Sequence, residues 1–98
     1  MKQNLGNIKT TIHEHMNTLR DTYYVKGIGV FGSVARTENT EKSDIDVLVE
    51  FAKPIGFFKF IELENYLSDI LGKKVDLVTK KALKPAIREE ILQEVAYV

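Results

Sequence analysis

The stretch Asp44-Ile45-Asp46-Val47-Leu48-Val49-Glu50-Phe51 decides how this chain of 98 residues is read. It is rich in β-branched and apolar residues, the composition of a buried strand. Side chains alternate along a strand, so Asp44 and Asp46 share one face while Ile45, Val47 and Val49 point into a core on the other. Two neighbouring carboxylates repel: at an effective dielectric near 20, unit charges about 4 Å apart cost about 4 kcal/mol. A divalent cation offsets that cost directly, because Mg²⁺ takes hard oxygen ligands from one or two carboxylates together with substrate phosphates.

The flanking sequence supplies the rest of a fold. Upstream, Ile28 to Phe31 is a short apolar run that reads as a buried strand; Gly32-Ser33 ends it, and Val34 to about Glu38 forms a short helix. Before that, Leu5, Ile8, Ile12, Met16 and Leu19 recur at helical spacing, predicting one amphipathic helix from Leu5 to about Leu19. Downstream, Pro54 and Gly56 punctuate a turn, and Phe57, Phe60, Ile61, Leu67, Ile70 and Leu71 follow helical spacing to a stop at Gly72. Lys74 to Thr79 reads as a third strand, and a last helix starts near Pro85 with Ile87, Ile91, Leu92 and Val95 on one side. The order α-β-α-β-α-β-α predicts an α/β (α+β) fold, a small mixed three-stranded sheet flanked by helices, in a single domain over residues 1–98.

Composition narrows the functional classes. Lys plus Arg and Asp plus Glu each number 14, so the formal charge is zero and a long nucleic acid is a poor candidate for the main partner. The basic residues of the last third, Lys73, Lys74, Lys80, Lys81, Lys84 and Arg88, are interrupted by acids and read as a solvated face. There is no cysteine, which rules out disulfides and thiolate metal sites. Met1-Lys2-Gln3-Asn4 lacks the apolar stretch of a signal peptide and no apolar run approaches a membrane span, so the expectation is a cytoplasmic protein with no membrane partner. So small a domain leaves little room for a second substrate-binding lobe, and an acceptor would have to be presented by something else.

The residues with chemistry cluster. Asp76, between Val75 and Leu77, is a third acid amid apolar neighbours; beside the strand of Asp44 and Asp46 it would complete one metal-binding patch. Taken singly, each acid reads more readily as structure, a turn former or helix-cap partner. Their partner upstream is Phe31-Gly32-Ser33, a strand-turn-helix junction where a glycine lets backbone approach a ligand and first-turn N–H groups can meet a phosphate. The Ser33 hydroxyl adds a donor, and Arg36, one turn later, either supports the same anion or pairs with Glu38 or Glu41. Ser43 either orients Asp44 or, more simply, caps the loop. A phosphate cradle and metal-binding acids within about fifteen residues of each other is a layout for phosphoryl transfer.

Other features read as structure. Gly27, Gly29 and Gly32 spell the dinucleotide pattern G-x-G-x-x-G, but Gly29 falls inside the strand and the chain is too short for a doubly wound sheet. His13 and His15 face different directions on their helix. Phe57, Phe58 and Phe60 read as core and helix packing, with a partner surface as the alternative for some of them.

From about Gly27 to the end, the pattern resembles the minimal nucleotidyltransferase family of the polymerase-β-like superfamily. Gly32-Ser33, a spacer of about ten residues, Asp44-Ile45-Asp46 and a later Asp76 are similar to that family's signature; Lys81-Ala82-Leu83-Lys84-Pro85 with Arg88-Glu89-Glu90-Ile91-Leu92 is similar to its C-terminal helix. Thr37 departs from the family, whose members often have glycine after the Ala-Arg pair.

The resemblance implies an antitoxin paired with a HEPN-type ribonuclease toxin, transferring AMP from ATP onto a tyrosine of that partner. Two Mg²⁺ ions would be held by Asp44, Asp46 and Asp76, with Asp76 nearest the acceptor hydroxyl, while Gly32, Ser33 and Arg36 grip the phosphates. Two rivals stay open: a module that blocks its partner sterically, and a nucleotidyltransferase with a small-molecule or RNA acceptor.

Overall fold

The computed structural model describes residues 4–98. Two short helices open it, α1 (Leu5–Glu14) and α2 (Met16–Tyr23), where the sequence predicts one. The break falls at His15. Its Nδ1 lies 2.8 Å from the Thr11 carbonyl, the acceptor that its own amide would use in a continuous helix, and that amide donates to Ile12 instead. The apolar stripe runs on across the bend, with Ile8, Ile12 and Leu19 fully buried.

The chain then forms β1 (Val25–Phe31), the single turn α3 (Gly32–Ala35), β2 (Ile45–Phe51), α4 (Phe57–Leu71) and β3 (Val75–Thr79). A 3-10 turn over Lys80–Ala82, α5 (Pro85–Glu94) and the two-residue β4 (Ala96–Tyr97) complete the fold. The sheet is mixed, as expected, but has four strands rather than three, in the order β3-β2-β1-β4. β1 is antiparallel to β2 and β4, and β2 is parallel to β3. The added strand is too short for alternation to reveal it. Gly29 makes room for it, since a side chain there would meet Val95 Cγ2 at 2.7 Å and the Ala96 carbonyl at 3.0 Å.

One face of the sheet carries Ile28, Val30, Ile45, Val47, Val49, Val75 and Leu77, packed with α1, α2 and Leu63, Leu67 and Leu71 of α4. The inward assignment of Ile45, Val47 and Val49 therefore holds. The other face is also covered: Phe31, Leu48 and Leu83 pack with Val78, Ile91, Leu92 and Val95. Ile87 does not join them and is 45% exposed. Phe57 and Phe58 also depart from the sequence reading; they stand 72% and 86% exposed on the first turn of α4, while Phe60 packs on Phe51. Helix α4 is tied to the outer margin of β3 by polar bonds, the Val75 amide donating to Ser68 Oγ (3.0 Å) and the Leu77 amide to Glu64 Oε2 (2.9 Å).

Candidate active site

Parallel pairing of β2 and β3 places Asp46 opposite Asp76 as register partners. Paired residues in a sheet point to the same side, so the two acids stand together on the face away from Val47 and Leu77. Asp44 precedes β2 rather than opening it; it is exposed, with Oδ2 3.9 Å from Lys74 Nζ. Burial raises the Asp46 carboxyl above the ordinary aspartate range, Asp76 and then Asp44 raise it further, Arg36 opposes, and Glu94 adds to the rise. Three like charges thus bear on one half-buried group.

The strand-turn-helix junction is packed against that group. Gly32 has φ +75°, and a Cβ there would lie 2.1 Å from Asp46 Oδ2. Only glycine fits, for its left-handed conformation and for the space. The turn closes by a Schellman arrangement in which the Thr37 amide donates to the Val34 carbonyl and the Glu38 amide to the Ser33 carbonyl. Thr37, where the related family often has glycine, sits at φ 59° and donates its hydroxyl to the Arg36 carbonyl.

One residue of the site has no signal in the local sequence. Glu94, at the end of α5, accepts from the Gly32 amide and from Arg36 Nη1 through the same oxygen, each at 2.7 Å. Arg36 Nε also meets Glu38 Oε2 at 3.2 Å, so of the two acids expected to pair with it Glu38 does so, and Glu94 joins unforeseen. Glu94 is 62 residues from Gly32 in sequence, and only the return of α5 to β1 brings the two together. The first-turn donors that would meet a phosphate are therefore partly taken by a carboxylate. Ser43 accepts from the Thr40 amide at 2.9 Å, the loop-capping role.

The donor set suits hard cations. Among the described residues no group of three or more acidic or imidazole side chains is placed to hold a metal ion. An open set of carboxylates is nevertheless what Mg²⁺ uses when substrate phosphates and water complete its shell. Burial first, and then the Asp76 and Asp44 carboxylates, hold the Asp46 carboxyl above its ordinary range, and a cation brought to it would relieve the repulsion.

Residues 12–98 match the model of the nucleotidyltransferase domain family. A Methanocaldococcus jannaschii protein bearing the name protein adenylyltransferase is 52% identical over 95 residues, covering 96% of this chain and 97% of that protein. The protein adenylyltransferase MntA of Thermococcus cleftensis is 47% identical over 94 residues, covering 96% and 95%. Among solved structures, one described as a minimal nucleotidyltransferase superposes with TM-score 0.80 at 32% identity, over 96% of this chain and 95% of that one. The complex of a tri-AMPylated Shewanella oneidensis HEPN toxin with its MNT antitoxin gives TM-score 0.66 at 22% identity, over 92% and 70%, a likeness of fold.

Proposed function

The chain belongs to the nucleotidyltransferase domain family, and from that premise we propose that it transfers AMP from ATP to a tyrosine hydroxyl of a HEPN-type toxin and so acts as that toxin's antitoxin. The observation that carries the reading is the Asp46–Asp76 register pair with Gly32 pressed against it. Relatives named as protein adenylyltransferases support a protein acceptor. The neighbouring toxin–antitoxin complex supports the choice of partner.

In the proposed reaction the acceptor oxygen attacks the α-phosphorus in line, the bond from that phosphorus to the β-phosphate bridge breaks, and pyrophosphate leaves. Asp76, exposed at the start of β3, takes the proton of the attacking hydroxyl. Ser33 and the Gly32 amide orient the β- and γ-phosphates, and Arg36 balances their charge. Asp44, Asp46 and Asp76 would hold two Mg²⁺ ions, whose chemistry is Lewis-acid stabilisation of the charge that builds on the transferred phosphate. The test is mass spectrometry of a HEPN-type toxin incubated with this protein, ATP and Mg²⁺. An AMP adduct on tyrosine that disappears with Asp46→Asn supports transfer, and no adduct on any protein overturns it.

The steric reading has one observation in its favour, the occupation of the Gly32 amide and Arg36 by Glu94. An Asp44→Asn, Asp46→Asn variant that still neutralises the toxin would establish it.

A further inference from the structure

Five cations gather at the end of the sheet remote from the acids. Lys26, Lys53, Lys80, Lys81 and Arg88 line a groove of about 790 Å³, together with Phe57. Its apolar lining includes Pro54, Ile55 and Phe60, and Glu50 is the acid among its lining residues. The chain as a whole is neutral, so five of its 14 Lys and Arg residues meeting here is a local excess. Among the described residues none of the five has a carboxylate within ion-pair distance; Lys53 Nζ lies over the Tyr24 ring at 3.9 Å. The volume falls in the class of ligand clefts, roughly 300–1,000 Å³.

The position separates this groove from the chemistry. It includes Val49 to Phe51 at the end of β2, whereas Asp46 lies near the start. At about 3.3 Å per residue the two are roughly 10–17 Å apart along the strand. A protein acceptor spans that distance readily, with one segment in the groove and a hydroxyl at the acids. Phosphate tracking calls for a basic surface that continues along the strand of nucleic acid, whereas these cations share the groove with apolar side chains. Acidic side chains around an apolar anchor match that pattern in both charge and chemistry.

We propose that the groove docks an acidic, apolar-anchored segment of the protein acceptor, holding the acceptor while its hydroxyl reaches the acids at the other end of the sheet. This rests on the reading that the acceptor is a protein. Phe57, which lines the groove, and its chain neighbour Phe58 are 72% and 86% exposed and would extend the apolar contact.

The probe is a fluorescent peptide of glutamates around one leucine and one phenylalanine, titrated at about 0.15 M salt beside a single-stranded RNA of equal charge. The peptide should bind more tightly than the RNA. Lys80→Glu with Arg88→Glu should weaken it by about tenfold or more, and Phe57→Ala by several-fold. Lys42→Glu with Lys73→Glu, the same charge change at the acid end of the sheet, should leave it within about twofold, because at that salt the Debye length is about 8 Å. Tighter RNA binding, or equal loss in both double variants, overturns the proposal. Calorimetry of ATP with Mg²⁺ on the same proteins keeps the two readings apart. Peptide binding through these residues without ATP uptake sinks the transfer reading alone, and ATP uptake with peptide binding indifferent to the substitutions sinks the groove alone.

Discussion

Replacing Glu94 by glutamine should tighten ATP binding. The Glu94 carboxylate holds the Gly32 amide at 2.7 Å, the donor that the proposed reaction gives to the triphosphate, so on that reading the nucleotide displaces it. A hydrogen bond to a charged group contributes about 1.5–3 kcal/mol net, a neutral one about 0.5–1.5 kcal/mol. Glutamine keeps the shape and an acceptor oxygen but loses the charge, which lowers the competition by about 1 kcal/mol. That corresponds to roughly five- to tenfold in affinity, since about 1.4 kcal/mol is tenfold. Loss of repulsion between Glu94 and the triphosphate acts in the same direction. The assay is titration calorimetry of ATP with Mg²⁺, wild type against Glu94→Gln, with circular dichroism to show that both are folded. Affinity that is unchanged or weaker in the variant would refute the displacement argument and make Glu94 a support for Arg36 and the loop.

Asp46→Asn should abolish transfer and, in the absence of metal, raise Tm. The folded carboxyl lies above its unfolded value of 3.8, so ionising it costs the folded state more than the unfolded one. Metal-free stability is therefore highest below the ordinary aspartate pKa and falls as pH rises through the folded one; thermal melts from about pH 3 to about pH 7 should show a decline that the Asp46→Asn substitution removes and Mg²⁺ reduces. Thr37→Gly should stabilise by about 0.5–1 kcal/mol in urea melts, because relief of a left-handed β-branched residue outweighs the added freedom of the unfolded chain; a loss of stability would show that the Thr37 hydroxyl bond matters more. Gly32→Ala should lower Tm and eliminate activity together, since the new methyl meets Asp46 Oδ2 at 2.1 Å. Leu67→Ala, in the fully buried row of α4, should cost about 2–5 kcal/mol by denaturant unfolding.

Most of this was legible because the fold and the site share one short stretch. The spacing Asp44-x-Asp46 on an apolar strand indicated both the core face and the acid face, and the strand register then brought Asp76 to the same place. What escaped depends on contacts between distant segments. Glu94 looks like any acid on a solvated helix until α5 folds back on Gly32. β4 is two residues long, below any usable period, and follows a helix whose apolar pattern runs into it. The break at His15 comes from a side chain capturing a carbonyl, which helical spacing does not encode. Phe57 and Phe58 read as packing from sequence because an apolar residue on a first turn has the same spacing whether the turn is covered or overhangs the body.

The bonds from Ser68 and Glu64 to β3 have a consequence for how any other protein can hold this one. An exposed sheet margin invites an incoming chain to pair with it through main-chain hydrogen bonds. Here the amides of Val75 and Leu77 are already committed to their own helix. A visiting chain that tried to lengthen the sheet on that side would have to evict both side chains before it could use either amide. Recognition is thereby shifted onto side-chain surfaces, where sequence can select one partner from many.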